Sequence, residues 1–282
     1  MFPRNPSTNS TNPPATPASG RLLRMVAVAG LSLSLVGGLA ACGDDDEATP
    51  ITSTTAAAAG GYQGNPTATV SDEVCDALVA AQGALHQAPQ EPDAMAAYLE
   101  AEVSPHTQVL ADGLDGELAV AAQTVHELLV ELGATGDFSI MESPELTEAQ
   151  TEIGAALHEG CDWATVDLTA REYDFQGVPA ELPAGRYGFA MENIGVEEHE
   201  MVLFRRNDGV TGSFEELAEL GDAMMEKVTF TGVAFGGPDT TSYAAVDLEP
   251  GTYFLVCFVP VGGGEDGAPH FMEGMQTTVE VV

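Results

Sequence analysis

The spacing of apolar residues changes once along the chain, from a helical period to a strand period. From Ser71 onward, apolar side chains recur every three or four residues, which places them on one face of a helix. From Thr165 onward, short runs of alternating apolar and polar residues are separated by turn residues. The pattern predicts an α+β multidomain chain, with a helical domain at 71–162 and a β-domain at 163–282.

Amphipathic helices are predicted throughout the helical domain. The first opens near Ser71, and the second covers Asp93–Leu110 with a kink or break near Pro105. The third is expected to stop at Gly133, and the fourth is expected to end near Gly160. Because the connections between them are short, the sequence predicts an antiparallel four-helix bundle.

The β-domain is predicted to be a sandwich of short strands with one inserted helix. Tyr253–Val259 is apolar at both odd and even positions, as expected of a central strand that is buried on both faces. The capping box Ser213-Phe-Glu-Glu216 opens the inserted helix. Many short strands separated by turn signals are typical of a β-sandwich. The apolar face of the inserted helix is predicted to consist of Phe214, Leu217, Met224 and Val228.

Residues 1–41 are predicted to be a disordered leader followed by a signal peptide that is removed on export. Arg21 and Arg24 precede the apolar run Met25–Ala41. The run ends in Leu39-Ala-Ala-Cys42, which resembles a bacterial lipobox and implies that Cys42 is lipidated and becomes the mature N-terminus. The alternative is an uncleaved transmembrane anchor, although the run is short of the roughly 20 residues that a span requires.

The chain is strongly acidic. It contains 8 Lys and Arg against 44 Asp and Glu, a formal net charge of −36, and neither Lys nor Arg occurs between Cys42 and Arg171. Binding to nucleic acid depends on cations that neutralise phosphates, so a nucleic-acid partner is excluded. Residues 42–70 combine an acidic run with Thr, Ala and Gly, and we predict that they form a linker between the lipid anchor and the folded domains.

The other cysteines have separate expected fates in an exported protein. Cys75 lies in the first turn of the first predicted helix, and Cys161 lies just past the end of the fourth. Thiols oxidise outside the cytoplasm, so we predict a Cys75–Cys161 disulfide, with two unpaired buried thiols as the alternative. Cys257 is then left over, either as a metal ligand or as a small buried apolar residue.

The C-terminal stretch carries a set of residues that bind transition metals. Cys257 follows a buried strand, His270 and Met275 come on the next loop, and His199 lies upstream after Asn193-Ile-Gly. Two imidazoles, one thiolate and one thioether are the donors of a blue-copper site, in which His2Cys forms a trigonal plane and Met is a weak axial ligand.

On these residues, the stretch from Thr165 to Val282 resembles the cupredoxins, the family of plastocyanin and azurin. The resemblance implies a Greek-key β-sandwich with one type 1 copper, held by His199, Cys257 and His270 in the plane and by Met275 on the axis. The His-x4-Met spacing fits the family, but twelve residues separate Cys257 from His270, where small cupredoxins have only a few. The long loop is expected to close at little entropic cost and to leave the site less rigid.

These patterns predict a membrane-anchored copper protein on the extracytoplasmic face that transfers single electrons. Its partner is expected to be a redox protein or a copper donor or acceptor. Two alternatives stay open: a metal-free cupredoxin-like module that binds a protein or cell-envelope partner, and a protein that buffers or delivers copper. The sequence contains no phosphate-binding loop, nucleophile elbow or zinc-protease motif, so an enzyme is not predicted.

Overall fold

The computed structural model describes residues 65, 67–89, 91–264 and 267–282. The predicted leader, the lipidation site Cys42 and most of the predicted linker lie outside these residues. Among the described residues, no helix combines the length and the apolar character needed to cross a bilayer. The described part consists of helices followed by two mixed β-sheets.

Residues 72–160 form a helical layer. The antiparallel four-helix bundle stays a prediction for this region. The layer contains α1 (Asp72–Leu85), α2 (Pro92–Tyr98), α3 (Ser104–Gly113), α4 (Gly116–Thr135) and α5 (Pro144–Gly160).

The structure confirms one helix prediction and corrects another. The predicted helix at Asp93–Leu110 is broken close to Pro105, as expected, because a π-helical turn over Leu99–Val103 separates α2 from α3. Pro105 has no N–H to donate and its ring crowds the carbonyl four residues earlier, so a regular α-helix cannot pass through it. Gly133 does not stop the third predicted helix. Instead α4 ends at Thr135, where Gly136 adopts a left-handed conformation with a φ of 66° and caps the helix.

Residues 164–281 form two β-sheets that pack face to face. The strands are β1 (Ala164–Arg171), β2 (Asp174–Gln176), β3 (Glu181–Leu182), β4 (Gly185–Asn193), β5 (His199–Arg206), β6 (Val228–Gly236), β7 (Thr240–Leu248), β8 (Gly251–Val256) and β9 (Gln276–Val281). The four-stranded sheet has the order β2-β1-β4-β7, and the five-stranded sheet has the order β3-β9-β8-β5-β6. The β1–β4 and β3–β9 pairs are parallel, and the other pairs are antiparallel.

The helical layer covers the outer face of the four-stranded sheet. Ala245 of β7 belongs to the same apolar core as the helices, and its N–H donates to the side-chain oxygen of Gln82 at 2.9 Å. Gly154 of α5 approaches β7 closely, because a Cβ there would lie 2.7 Å from the Cβ of Tyr243. Cys75 and Cys161 form a disulfide at the edge of this layer, with a Cα–Cα distance of 5.9 Å.

The five-stranded sheet is also buried on both faces. Tyr253 and Leu255 point into the space between the sheets, while Phe254 and Val256 point to the opposite side. On that side they pack beneath the segment that connects β5 to β6, in a cluster with Phe214. This two-sided burial is the environment that the sequence pattern of the strand predicts.

The connecting segment is not the single helix predicted from sequence. An α-helix covers only Phe214–Ala218 (α6), and a separate 3₁₀-helix follows at Gly221–Glu226. Gly221 has a φ of 59°, which is a left-handed conformation that ends a right-handed helix. Phe214, Leu217 and Met224 are buried as predicted, but Val228 is the first residue of β6.

Candidate metal centre

The sheet topology brings three of the sequence-predicted ligands to one end of the sandwich. β5 and β8 are antiparallel, so the start of β5 at His199 lies at the same end as Cys257, which follows the last residue of β8. β8 and β9 are also antiparallel, and Met275 immediately precedes β9. The Cys257 N–H donates to the Met275 carbonyl at 3.1 Å, which joins these two residues directly.

His270 completes the group from a short 3₁₀-helix, His270–Glu273. Its Nδ1 lies 3.1 Å from the Nδ1 of His199 and 3.4 Å from the Sγ of Cys257. His199, Cys257 and His270 are each 0 % exposed, and their candidate ligand atoms all lie within 4.8 Å of one another. Met275 is 0 % exposed as well and belongs to the same core as Cys257.

The outer nitrogen of each imidazole faces a carboxylate. His199 Nε2 lies 3.2 Å from Oε1 of Glu172, and His270 Nε2 lies 3.1 Å from Oε2 of Glu197. An ionised carboxylate only accepts hydrogen bonds, so we assign the ring proton to Nε2 in both histidines. Each Nδ1 then carries a lone pair, and the two Nδ1 atoms lie 3.1 Å apart, with His270 Nδ1 3.4 Å from the Cys257 sulfur.

The protonation of the site suits metal binding. Burial lowers the pKa of both His199 and His270, so the rings are neutral near pH 7. Burial raises the pKa of the Cys257 thiol, and the nearby Glu200 carboxyl raises it further. The thiol therefore holds its proton until a metal displaces it. The buried sulfur also accepts the N–H of Glu200 at 3.4 Å, a contact that would stabilise a thiolate.

Asn193 holds the loop that leads into His199. Its side chain is fully buried, and its Nδ2 donates to the Glu197 carbonyl at 2.8 Å and to the Gly236 carbonyl at 3.0 Å. Its Oδ1 accepts the N–H of Gly195 at 2.9 Å. A Cβ on Gly195 would lie 2.8 Å from His199 Nε2 and still closer to Glu172, so only glycine fits between these side chains. These contacts explain why asparagine and glycine occupy positions 193 and 195 in the loop before His199.

The long loop between Cys257 and His270 is closed at its base by backbone hydrogen bonds. The N–H of His270 donates to the Val259 carbonyl at 2.9 Å, and the N–H of Val261 donates to the Ala268 carbonyl at 2.9 Å. The N–H of Phe271 reaches the Cys257 carbonyl at 2.9 Å. Backbone pairing therefore fixes Cys257 relative to His270 directly, however many residues lie between them.

The loop is also tied to the rest of the site. Gly262 has a φ of 72° and donates its N–H to Oε2 of Glu197 at 2.7 Å, the same oxygen that faces His270. The Tyr173 hydroxyl donates to the other oxygen of Glu197 at 3.3 Å, and the Tyr173 ring packs on His270 with centroids 4.6 Å apart. Glu197 and Tyr173 are thus part of the wall that encloses His270.

Sequence reasoning did not identify Glu172, Glu197 or Tyr173. Glu197 precedes His199 by two residues, and Glu172 lies in the turn between β1 and β2. Neither position carries a distinguishing motif in a chain that has 44 acidic residues. Only the fold shows that these two carboxylates face the ligand imidazoles.

The residues fit a single type 1 copper. Two neutral imidazoles, one cysteine sulfur and one methionine are gathered in a buried pocket, and this donor set prefers copper to hard cations such as Mg²⁺ or Ca²⁺. The convergence of two unprotonated Nδ1 atoms at 3.1 Å leaves lone pairs that a bound cation would satisfy. The C-terminal part of the chain therefore has the two-sheet architecture and the His–Cys–His group that a resemblance to cupredoxins implies.

Comparison with known proteins gives structural matches alone, since no family model and no curated protein matches the chain. Auracyanin B is 20% identical over 42% of this chain and 88% of its own, with a TM-score of 0.30. Auracyanin A, described as a "blue" copper protein from Chloroflexus aurantiacus, is 18% identical over 42% of this chain and 98% of its own, with a TM-score of 0.29.

Part of a much longer protein also matches. The multicopper oxidase McoA from Aquifex aeolicus is 15% identical over 42% of this chain and 29% of its own, with a TM-score of 0.26. These identities and scores are too low to assign a function. The interpretation of the site as a copper centre rests on its own donors and their geometry.

Proposed function

We propose that the chain is a lipid-anchored, extracytoplasmic protein whose C-terminal domain binds one type 1 copper and transfers single electrons. The observation that carries the proposal is the convergence of His199 Nδ1, Cys257 Sγ and His270 Nδ1, all buried and all within 4.8 Å of one another. A bound copper would supply a reversible one-electron couple at this position. Met275, which is buried in the same core as Cys257, would supply a weak thioether donor to the same ion.

The enclosure of the site supports electron transfer over simple storage. Backbone pairs hold Cys257 against Met275 and against Phe271 at 3.1 and 2.9 Å, and hydrogen bonds of Asn193 hold the approach to His199. Donors that are held by the surrounding structure move little when the charge of the metal changes. A site that moves little exchanges electrons with a small reorganisation cost, whereas a delivery site must open to release its metal.

The location and partner of the protein are part of the proposal. The Cys42 lipobox resemblance supports a lipid anchor on the outer face of a membrane, with residues 43–64 as a spacer. The net charge of −36 favours a redox partner or copper donor that presents a basic surface. The absence of an enzymatic activity also stays a prediction, and the helical layer is proposed to support the four-stranded sheet that it covers.

Titration of the purified chain with Cu(II) tests the proposal. One equivalent should produce an intense visible thiolate-to-copper band and a narrow-hyperfine EPR spectrum. Cys257→Ser should abolish the band, because an alcohol does not replace the thiolate. His270→Ala should weaken or bleach it, and Met275→Leu should leave a coloured site with a changed potential, because the axial ligand tunes the metal without holding it.

Voltammetry of the loaded protein separates the remaining alternatives. A reversible one-electron wave supports electron transfer. Tight Cu(I) binding without a reversible wave supports copper buffering or delivery. If stoichiometric Cu(II) gives no thiolate band at neutral pH, the copper proposal is wrong and a metal-free binding module becomes the better interpretation.

A further inference from the structure

Both ligand imidazoles are capped on their outer edge by a glutamate. His199 donates from Nε2 toward Glu172 at 3.2 Å, and His270 donates from Nε2 toward Glu197 at 3.1 Å. Both rings are 0 % exposed, whereas the side chains of Glu172 and Glu197 are 25% and 23% exposed. The carboxylates thus form the boundary between the imidazoles and solvent.

Each carboxylate is itself held by backbone donors. Oε1 of Glu172 accepts the N–H groups of Val196 at 2.7 Å and Glu197 at 2.8 Å. Oε2 of Glu197 accepts the N–H of Gly262 at 2.7 Å, and its Oε1 accepts the Tyr173 hydroxyl at 3.3 Å. The two glutamates come from different loops, yet each reaches one ligand histidine with an oxygen already fixed by the main chain.

Each carboxylate accepts hydrogen bonds from backbone N–H groups, and a glutamate is ordinarily ionised at neutral pH. Two carboxylates therefore lie against the outer edges of the ligand imidazoles, one ring away from the position where the Nδ1 atoms converge.

A carboxylate that accepts the far N–H of a ligand imidazole has two effects. It fixes the tautomer and the plane of the ring, and it increases the electron density on the ligating nitrogen. Its charge also stabilises a dication more than a monocation at the same position. Both effects favour Cu(II) over Cu(I).

We propose that Glu172 and Glu197 are positioning residues of the copper centre, which aim the Nδ1 atoms of His199 and His270 at the metal and lower its reduction potential. This inference rests on the proposed function for its redox consequence. The orientation of the rings is independent of copper, so it can be tested even if no copper binds.

The test uses the full purified chain with Glu172→Gln and Glu197→Gln, separately and together. Glutamine keeps an oxygen that can accept the same backbone N–H groups but removes the charge. Glu198→Gln is the matched control, because it removes the same charge from the loop that carries Glu197 and has no hydrogen bond to either imidazole among those of the described residues. Thermal unfolding of each metal-free variant establishes that it is folded.

The first measurement is the reduction potential of each copper-loaded protein. Each of the two variants should raise the potential by at least about 59 mV, which is a tenfold change in the ratio of Cu(II) to Cu(I) affinity for a one-electron couple. The double variant should raise it by about the sum, because the glutamates act on different rings. If both single variants shift the potential no more than Glu198→Gln does, the two charges act only by long-range electrostatics and not through the hydrogen bonds to the imidazoles. That result would overturn the proposal.

The second measurement is the tautomer of both histidines in the metal-free wild-type chain, read from long-range ¹H–¹⁵N spectra. Both Nε2 atoms should be protonated, and the Nε2 resonance of His199 should move in Glu172→Gln while that of His270 stays, with the reverse in Glu197→Gln. A proton on Nδ1 with a bare Nε2 in either ring would overturn the proposal. If copper does not bind at all, the proposed function fails, and these spectra still decide whether the carboxylates orient the rings.

Discussion

Replacing Asn193 with alanine should destabilise the protein far more than an ordinary polar substitution. The Asn193 side chain makes hydrogen bonds at 2.8, 3.0 and 2.9 Å to Glu197, Gly236 and Gly195, and it is 0 % exposed. A buried hydrogen bond contributes on the order of 1 kcal/mol net to stability. A buried donor or acceptor that loses its partner and is not reached by water costs about 1–3 kcal/mol. We therefore expect Asn193→Ala to lower the free energy of unfolding by roughly 3–5 kcal/mol.

The assay is urea unfolding of the metal-free chain, followed by the fluorescence of Trp163, the single tryptophan of the sequence, and by circular dichroism. Asn207→Ala is the control: Asn207 also makes side-chain bonds, to Glu226 and Thr229, but in exposed positions. Exposed groups find water when their partner is removed, so the control should lose less than about 1 kcal/mol. Equal losses in the two variants, or a loss below about 1 kcal/mol for Asn193→Ala, would refute the assigned role of Asn193.

Three further predictions concern other parts of the chain. The Cys75→Ala/Cys161→Ala double variant should lose about 4–5 kcal/mol of stability, because the disulfide closes a loop with a sequence separation of 86, and a reductant should destabilise the wild type alone. Burial lowers the pKa of His86 to about 4, below its ordinary 6.5, so the unfolded chain binds more protons between these values and stability is lost as pH falls from 6.5 to 4. His86→Leu should remove up to about 3 kcal/mol of that loss, which is measured by comparing the free energies of unfolding of wild type and variant at several pH values. A difference between the two free energies that stays constant from pH 6.5 to about 4 would contradict this prediction. Cys42→Ser should move the protein from the membrane fraction to the soluble fraction, and a wild-type N-terminus that carries no lipid in mass spectra would count against export through a lipobox.

The sequence predicts the parts of this fold that depend on local periodicity. The two-sided apolar character of Tyr253–Val259 places β8 in the centre of a sheet, and the alternating runs from Thr165 onward indicate short strands. The donor residues could be identified because cysteine, histidine and methionine are chemically distinctive and few. The positions of Cys75 and Cys161, together with the export that the sequence predicts, were enough to suggest the disulfide.

Other features depend on contacts that leave no local pattern. An amphipathic stripe shows that α5 buries one face, but it does not show that Gly154 lies against Tyr243 of the four-stranded sheet. The π-helical turn before Pro105 could be anticipated as a kink and not as a change of helix type. Glu172 and Glu197 resemble every other acidic residue in the sequence until the fold places them against the imidazoles.

The hairpin-like closure between Cys257 and His270 has a consequence for how such a site can change in evolution. Pro260 pairs with Pro269, and the next backbone pair toward the site joins Val259 and His270. The relative positions of the ligands are therefore set at the base of the loop. Residues beyond the base can be gained or lost without moving either donor, provided that Gly262 keeps its N–H on Glu197. The number of residues between the cysteine and the histidine can then vary, whereas the backbone pairing at the base of the loop cannot. A sequence pattern that requires a fixed interval between these ligands would pass over sites built in this way, whereas a search for paired backbone around a buried cysteine would find them.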